Sequence, residues 1–97
     1  MNLIISEEII PRIIATRDAG QKEYAQDEDN VFANFERVAD RLDISKEKVL
    51  MVYLLKHIDG ISAYTKGHKS QREDVRGRLT DAIVYLMLLW SMVIENE

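Results

Sequence analysis

The chain contains no cysteine, which removes disulfides, zinc–thiolate sites and cysteine nucleophiles together and fits a reducing compartment. Proline occurs once and glycine four times, and neither repeats nor low-complexity tracts are present. No segment sustains the period-two alternation of a half-buried strand. Positive charge is in deficit, 13 Lys and Arg against 17 Asp and Glu, for a net charge of -4. A protein that coats nucleic acid presents the opposite balance. The first residues, Met1 to Glu8, lack a basic segment followed by a long apolar one, so they do not read as a signal peptide. The longest apolar stretch, Ala82 to Ile94, is interrupted by Ser91 and falls short of the roughly 20 residues that span a bilayer. These features set the expectation of a cytoplasmic protein. With 97 residues, 46% hydrophobic and 31% charged, the chain suffices for one globular domain.

What is present is helical periodicity. Ile9, Ile10, Ile13, Ile14 and Arg17 mark a first helix from about Ile9 to Tyr24. Pro11 is expected near its start, where a missing amide is tolerated. Asp29 or Asn30 is a suitable N-cap for a second helix, Val31 to Leu42, with Val31, Phe32, Phe35, Val38, Ala39 and Leu42 on one stripe. Asp43-Ile44-Ser45 reads as a turn, with Ser45 capping a third helix that runs to Tyr64 or Thr65 and stops at Gly67. A basic loop, Lys66 to Arg72, leads into a fourth helix from Glu73 to Ile94. The expected fold is all-α, an antiparallel four-helix bundle. The fourth helix is apolar almost all round, and such helices are normally buried on every side. Three short neighbours cannot cover it, so a homo-oligomer through residues 73–95, most simply a two-fold dimer, is expected.

Two otherwise apolar helices carry inset charges. A wheel of 100° per residue places Val52, Lys56, Asp59 and Ala63 on one face of the third helix. It places Arg78, Asp81, Ala82, Tyr85 and Leu89 together on the fourth. Lys56 with Asp59, and Arg78 with Asp81, have the spacing of ordinary helix-surface ion pairs. The same residues can form a ligand site, in which Lys56 and Arg78 meet phosphates, Asp59 and Asp81 accept ribose hydroxyls or hold Mg²⁺, and Tyr85 stacks or hydrogen-bonds.

Other features are weaker. His57 and His68 match no helical metal pair, and a lone helical histidine is more often structural. Asp27-Glu28-Asp29 lacks the glycine and distal glutamate of a calcium loop, so no metal ligand is assigned. The basic loop, with Arg76 and Arg78 beyond it, is either a phosphate-binding lip at a helix N-terminus or a solvated counter-charge. Met51, Met87, Met92 and Trp90 fit a core or an oligomer interface.

Tyr24, Asn34-Phe35, the run Leu54 to Asp59 and the run Gly77 to Trp90 together resemble the phage and prophage family called nucleotide-modification-associated domain one, over roughly Gln21 to Ile94. That family is similar in style to the MazG-like all-α nucleoside-triphosphate pyrophosphatases. The resemblance implies a phage-type helical protein handling nucleotides, with Tyr24, Asn34, Phe35, Lys56, Asp59, Arg78, Asp81 and Tyr85 as the pocket. Tyr24, Phe35 or Tyr85 would face a base. MazG-like enzymes hold Mg²⁺ with a Glu-Glu-x-x-Glu helix and a Glu-x-x-Asp helix. Here Glu7-Glu8 leads into Ile10-Pro11 with no third Glu, and the second helix offers only Glu36 and Asp40.

Three functional classes follow. One is binding of a phosphorylated nucleotide-like ligand without turnover, such as sequestration of a nucleotide immune signal. The second is Mg²⁺-dependent pyrophosphohydrolysis of a nucleoside triphosphate. The third is a protein-interaction module that uses the apolar fourth helix.

Overall fold

The computed structural model describes residues 1–20, 30, 32–68 and 74–97. These residues are helical with short connections, and no strand occurs among them. Helix α1 is a single turn, Asn2–Ile4, continued by a π-helical turn, Ile5–Ile9, and by α2, Ile10–Gly20. Helix α3 spans Ala33–Leu42, α4 Lys46–Thr65 and α5 Val75–Glu95.

The N-terminal segment departs from expectation. It is helical from Asn2 rather than Ile9, so Pro11 lies inside it and not at its start. A proline within a helix removes one amide and pushes its ring against the carbonyl four residues back. The widened turn just before Pro11 accommodates this, and the Ile10 amide reaches back five residues to the Ile5 carbonyl. Tyr24 and Asp29 lie outside the described residues.

The remaining elements are built by local rules. Asn30 is not the N-cap of α3: the helix starts after Phe32 without a side-chain cap, and Asn30 stands just ahead of it, its Oδ1 accepting the Phe32 amide at 3.0 Å and its Nδ2 donating to Glu36 Oε2 at 3.1 Å. The α3 helix begins at Ala33, two residues later than expected, and ends at Asp43 in the left-handed region (φ 55°). Leu42, placed on the core stripe by spacing, is exposed, because α3 ends there. Ser45 Oγ accepts the Lys48 amide at 3.2 Å and starts α4. Gly67 adopts φ 92°, and beyond it the His68 amide returns to the Ala63 carbonyl, closing α4 as glycine-terminated helices do. Asp74 caps α5 by accepting the Arg76 amide at 2.8 Å, one residue past the expected start at Glu73.

Helices α4 and α5 run antiparallel and form the main contact. Lys46 meets Glu95 at 3.2 Å at one end, His57 meets Asp81 in the middle, and Gly60 receives Arg78 towards the other. Helix α3 packs on α4, and α2 packs chiefly on α5. The core is Phe32, Phe35, Ala39, Val49, Leu50 and Met92, with Val38, Tyr53, Tyr85, Leu88 and Leu89 packed against it. Full burial of a side chain such as Leu50 contributes about 1.5–3 kcal/mol. Of the methionines and tryptophan marked for core or interface, Met92 is fully buried, whereas Met51, Met87 and Trp90 are exposed.

Candidate phosphate-binding groove

Helix α4 presents two different faces near its middle. Leu50, Leu54, His57 and Gly60 recur at three- and four-residue spacing and point inward. Val52, Leu55, Lys56 and Asp59 stand on the outer face, and with Gly60 and Arg78 they line an open groove of about 620 Å³. Val52 and Leu55 supply an apolar wall; Lys56, Asp59 and Arg78 supply two cations and one carboxylate. Among the described residues, Lys56 and Asp59 form no ion pair within 4 Å, despite their i, i+3 spacing.

Gly60 explains how Arg78 reaches this groove from α5. A β-carbon at position 60 would overlap Cδ, Nε and Cζ of Arg78. The glycine therefore lets the arginine side chain lie against the backbone of α4, half-buried, beside Lys56 and Asp59. An arginine held this way keeps a planar, always-charged donor fork at the groove wall.

Helices α3, α4 and α5 also share an aromatic layer. The His57 ring stacks on Tyr85 with centroids 5.6 Å apart, and Tyr85 stacks on Tyr53 at 6.2 Å. Phe35 meets both tyrosines edge-on at 6.2 Å. His57 is only 7% exposed. Its Nε2 lies 3.7 Å from Asp81 Oδ2, and its buried Nδ1 finds no hydrogen-bond partner among the described residues. Such buried unsatisfied atoms are uncommon and mark a site under constraint.

The residues singled out from the sequence thus divide. Lys56, Asp59 and Arg78 share the groove. Asp81 faces His57, and Tyr85 and Phe35 belong to the aromatic layer and the core. Asn34 stands apart on α3, accepting from Arg37 Nη2 at 3.2 Å. Tyr24 lies outside the described residues. His57, discounted as a lone helical histidine, is the side chain joining the groove helix to Asp81. Its signal was its place on the Leu50, Leu54, Gly60 stripe.

Charge at the start of α5 is organised by Asp74 and Arg76. Hydrogen bonds from the Arg76 side chain, and then from its amide, hold the Asp74 carboxyl below its ordinary pKa, and Arg76 is raised in turn. Among the described residues, no three His, Asp or Glu side chains converge as a metal site would require. Glu36 is engaged by Asn30. No protein-family profile, curated protein or solved structure matches this chain.

Proposed function

We propose that this protein binds a phosphorylated, nucleotide-like ligand in the groove between α4 and α5, and that it does so as a homo-oligomeric helical bundle. Two cations and one carboxylate around an apolar wall carry the reading. Arg78 suits bidentate contact with a phosphate, and Lys56 adds a second positive charge beside it. Asp59 suits a ribose hydroxyl, and Val52 and Leu55 offer surface to a base or sugar. The groove is open, which fits an extended, charged ligand better than a fully enclosed one. Holding the ligand intact, as in sequestration of a nucleotide signal, needs nothing beyond these groups. Mg²⁺-dependent hydrolysis needs clustered carboxylates, and the described residues offer none.

A thermal-shift panel of nucleoside triphosphates, cyclic dinucleotides and ADP-ribose derivatives, with and without Mg²⁺, tests the proposal. A ligand at 100 times its Kd adds about 2.7 kcal/mol and raises the Tm of a chain this size by roughly 10 °C or more. The rise should vanish in Lys56→Ala with Arg78→Ala. No rise with any compound overturns the reading. Release of pyrophosphate from a bound triphosphate would replace sequestration by turnover.

A further inference from the structure

Helix α5 is apolar on two faces, and the fold uses only one of them. Thr80, Ala82 and Met92 are buried, with Tyr85, Leu88 and Leu89 against the core. On the other side Leu79, Ile83, Leu86, Trp90 and Val93 are exposed, Trp90 by 72%. Their spacing alternates between four and three residues, the pattern of a seam that packs against another helix. From Leu79 to Val93 it runs about 21 Å along the helix. Met87 and Ile94, also exposed, widen it to a patch of the several-hundred-Å² order that marks an interaction site.

The seam ends in opposite charges. The same register reaches Arg76, in the first turn of α5 three residues before Leu79, and Glu97, four residues after Val93 and two past the end of the helix. Arg76 gives Nε and Nη2 to Asp74 and keeps further donors. Two copies of α5 laid antiparallel bring Arg76 of each copy towards Glu97 of the other. Laid parallel, they bring like charges together. By length and composition α5, with 21 residues, could also cross a membrane. Its inner face is already committed to the protein, however, and only the outer stripe needs cover.

We infer that a second copy of this chain covers the stripe, through an antiparallel α5–α5 seam centred near Leu86. This deepens the homo-oligomeric part of the proposed function and is independent of the groove ligand.

The test uses the full chain in detergent-free buffer without nucleotide, so its failure is separate from failure of the groove. Light scattering after size exclusion should give the mass of two chains, and Leu86→Lys should give one. Trp90→Lys should do the same, and it decides the matter if Leu86→Lys loses its helical circular dichroism. The chain has no cysteine of its own. A short bismaleimide should therefore couple an equimolar mixture of Leu79→Cys and Val93→Cys chains, one to the other. It should not couple either variant to itself, because self-pairs lie about 21 Å apart across the seam. The inference is overturned by a one-chain mass for the unmodified protein, by a two-chain mass that survives both lysines, or by self-coupling of Leu79→Cys. Failure of the mixed pair to couple overturns it, as does flotation of single chains with phosphatidylcholine vesicles.

Discussion

Arg78 crosses α4 at Gly60, where any β-carbon would overlap its Cδ, Nε and Cζ. Glycine inside a helix normally costs about 1 kcal/mol relative to alanine. Gly60→Ala should nonetheless fail to stabilise the protein, because it displaces Arg78. In an Arg78→Ala background the same change should gain about 1 kcal/mol, roughly 4–8 °C in Tm. An equal rise in both backgrounds would show that the two residues do not meet. The proposed phosphate site also predicts that Gly60→Ala weakens pyrophosphate binding only while Arg78 is present, a coupling that a double-mutant cycle measures.

Met92 and Trp90 lie two residues apart on α5, one fully buried and the other 72% exposed. Met92→Ala should cost about 2–5 kcal/mol in urea unfolding, through lost burial and the cavity left behind. Trp90→Ala, measured dilute enough to hold the chain monomeric, should stay within about 0.5 kcal/mol. Equal costs would contradict the assignment of one face of α5 to the core and the other to the surface.

Ser45 is a capping residue whose hydroxyl accepts the Lys48 amide at 3.2 Å. Ser45→Ala should lower stability by about 1 kcal/mol, and Ser45→Asp should restore it. A full-strength helix in Ser45→Ala, with unchanged Tm, would remove the cap from the account of α4.

Asp74 should report on pH. Its carboxyl is held below the ordinary value by the Arg76 side chain and then by the Arg76 amide. A depressed folded pKa contributes stability above the unfolded value, near 3.9, and that contribution fades as pH falls through the folded pKa. The Tm difference between wild type and Asp74→Ala should therefore shrink from about pH 6 to about pH 3. A difference that stays constant, or grows in acid, contradicts the assignment.

The start and the stop of α4 were legible, because one residue decides each. Ser45 and Gly67 do what their residue types do best: one accepts an amide with a free hydroxyl, the other enters positive φ without a β-carbon. The helical N-terminus was missed because the rule for proline weighs the lost amide at Pro11. It does not foresee a widened turn that makes room for the ring. At the groove, a helical wheel grouped Lys56 with Asp59 because it fixes angles around one axis. It also grouped Asp81 and Tyr85 with Arg78, though Arg78 reaches outward over Gly60 while the other two turn to His57 and the core. That divergence depends on side-chain length and on a vacant β-carbon in a different helix, which no single-helix projection contains.

Helix α2 has no buried residue and packs chiefly on α5, the last of the described helices. Regions with little burial open first in native-state fluctuations. Amide hydrogens of residues 10–20 should exchange with solvent well ahead of those of α4. During synthesis the order reverses the usual sequence in which early segments settle early. Helix α2 is synthesised before α5 and meets that packing surface only once α5 has emerged, so it is packed late.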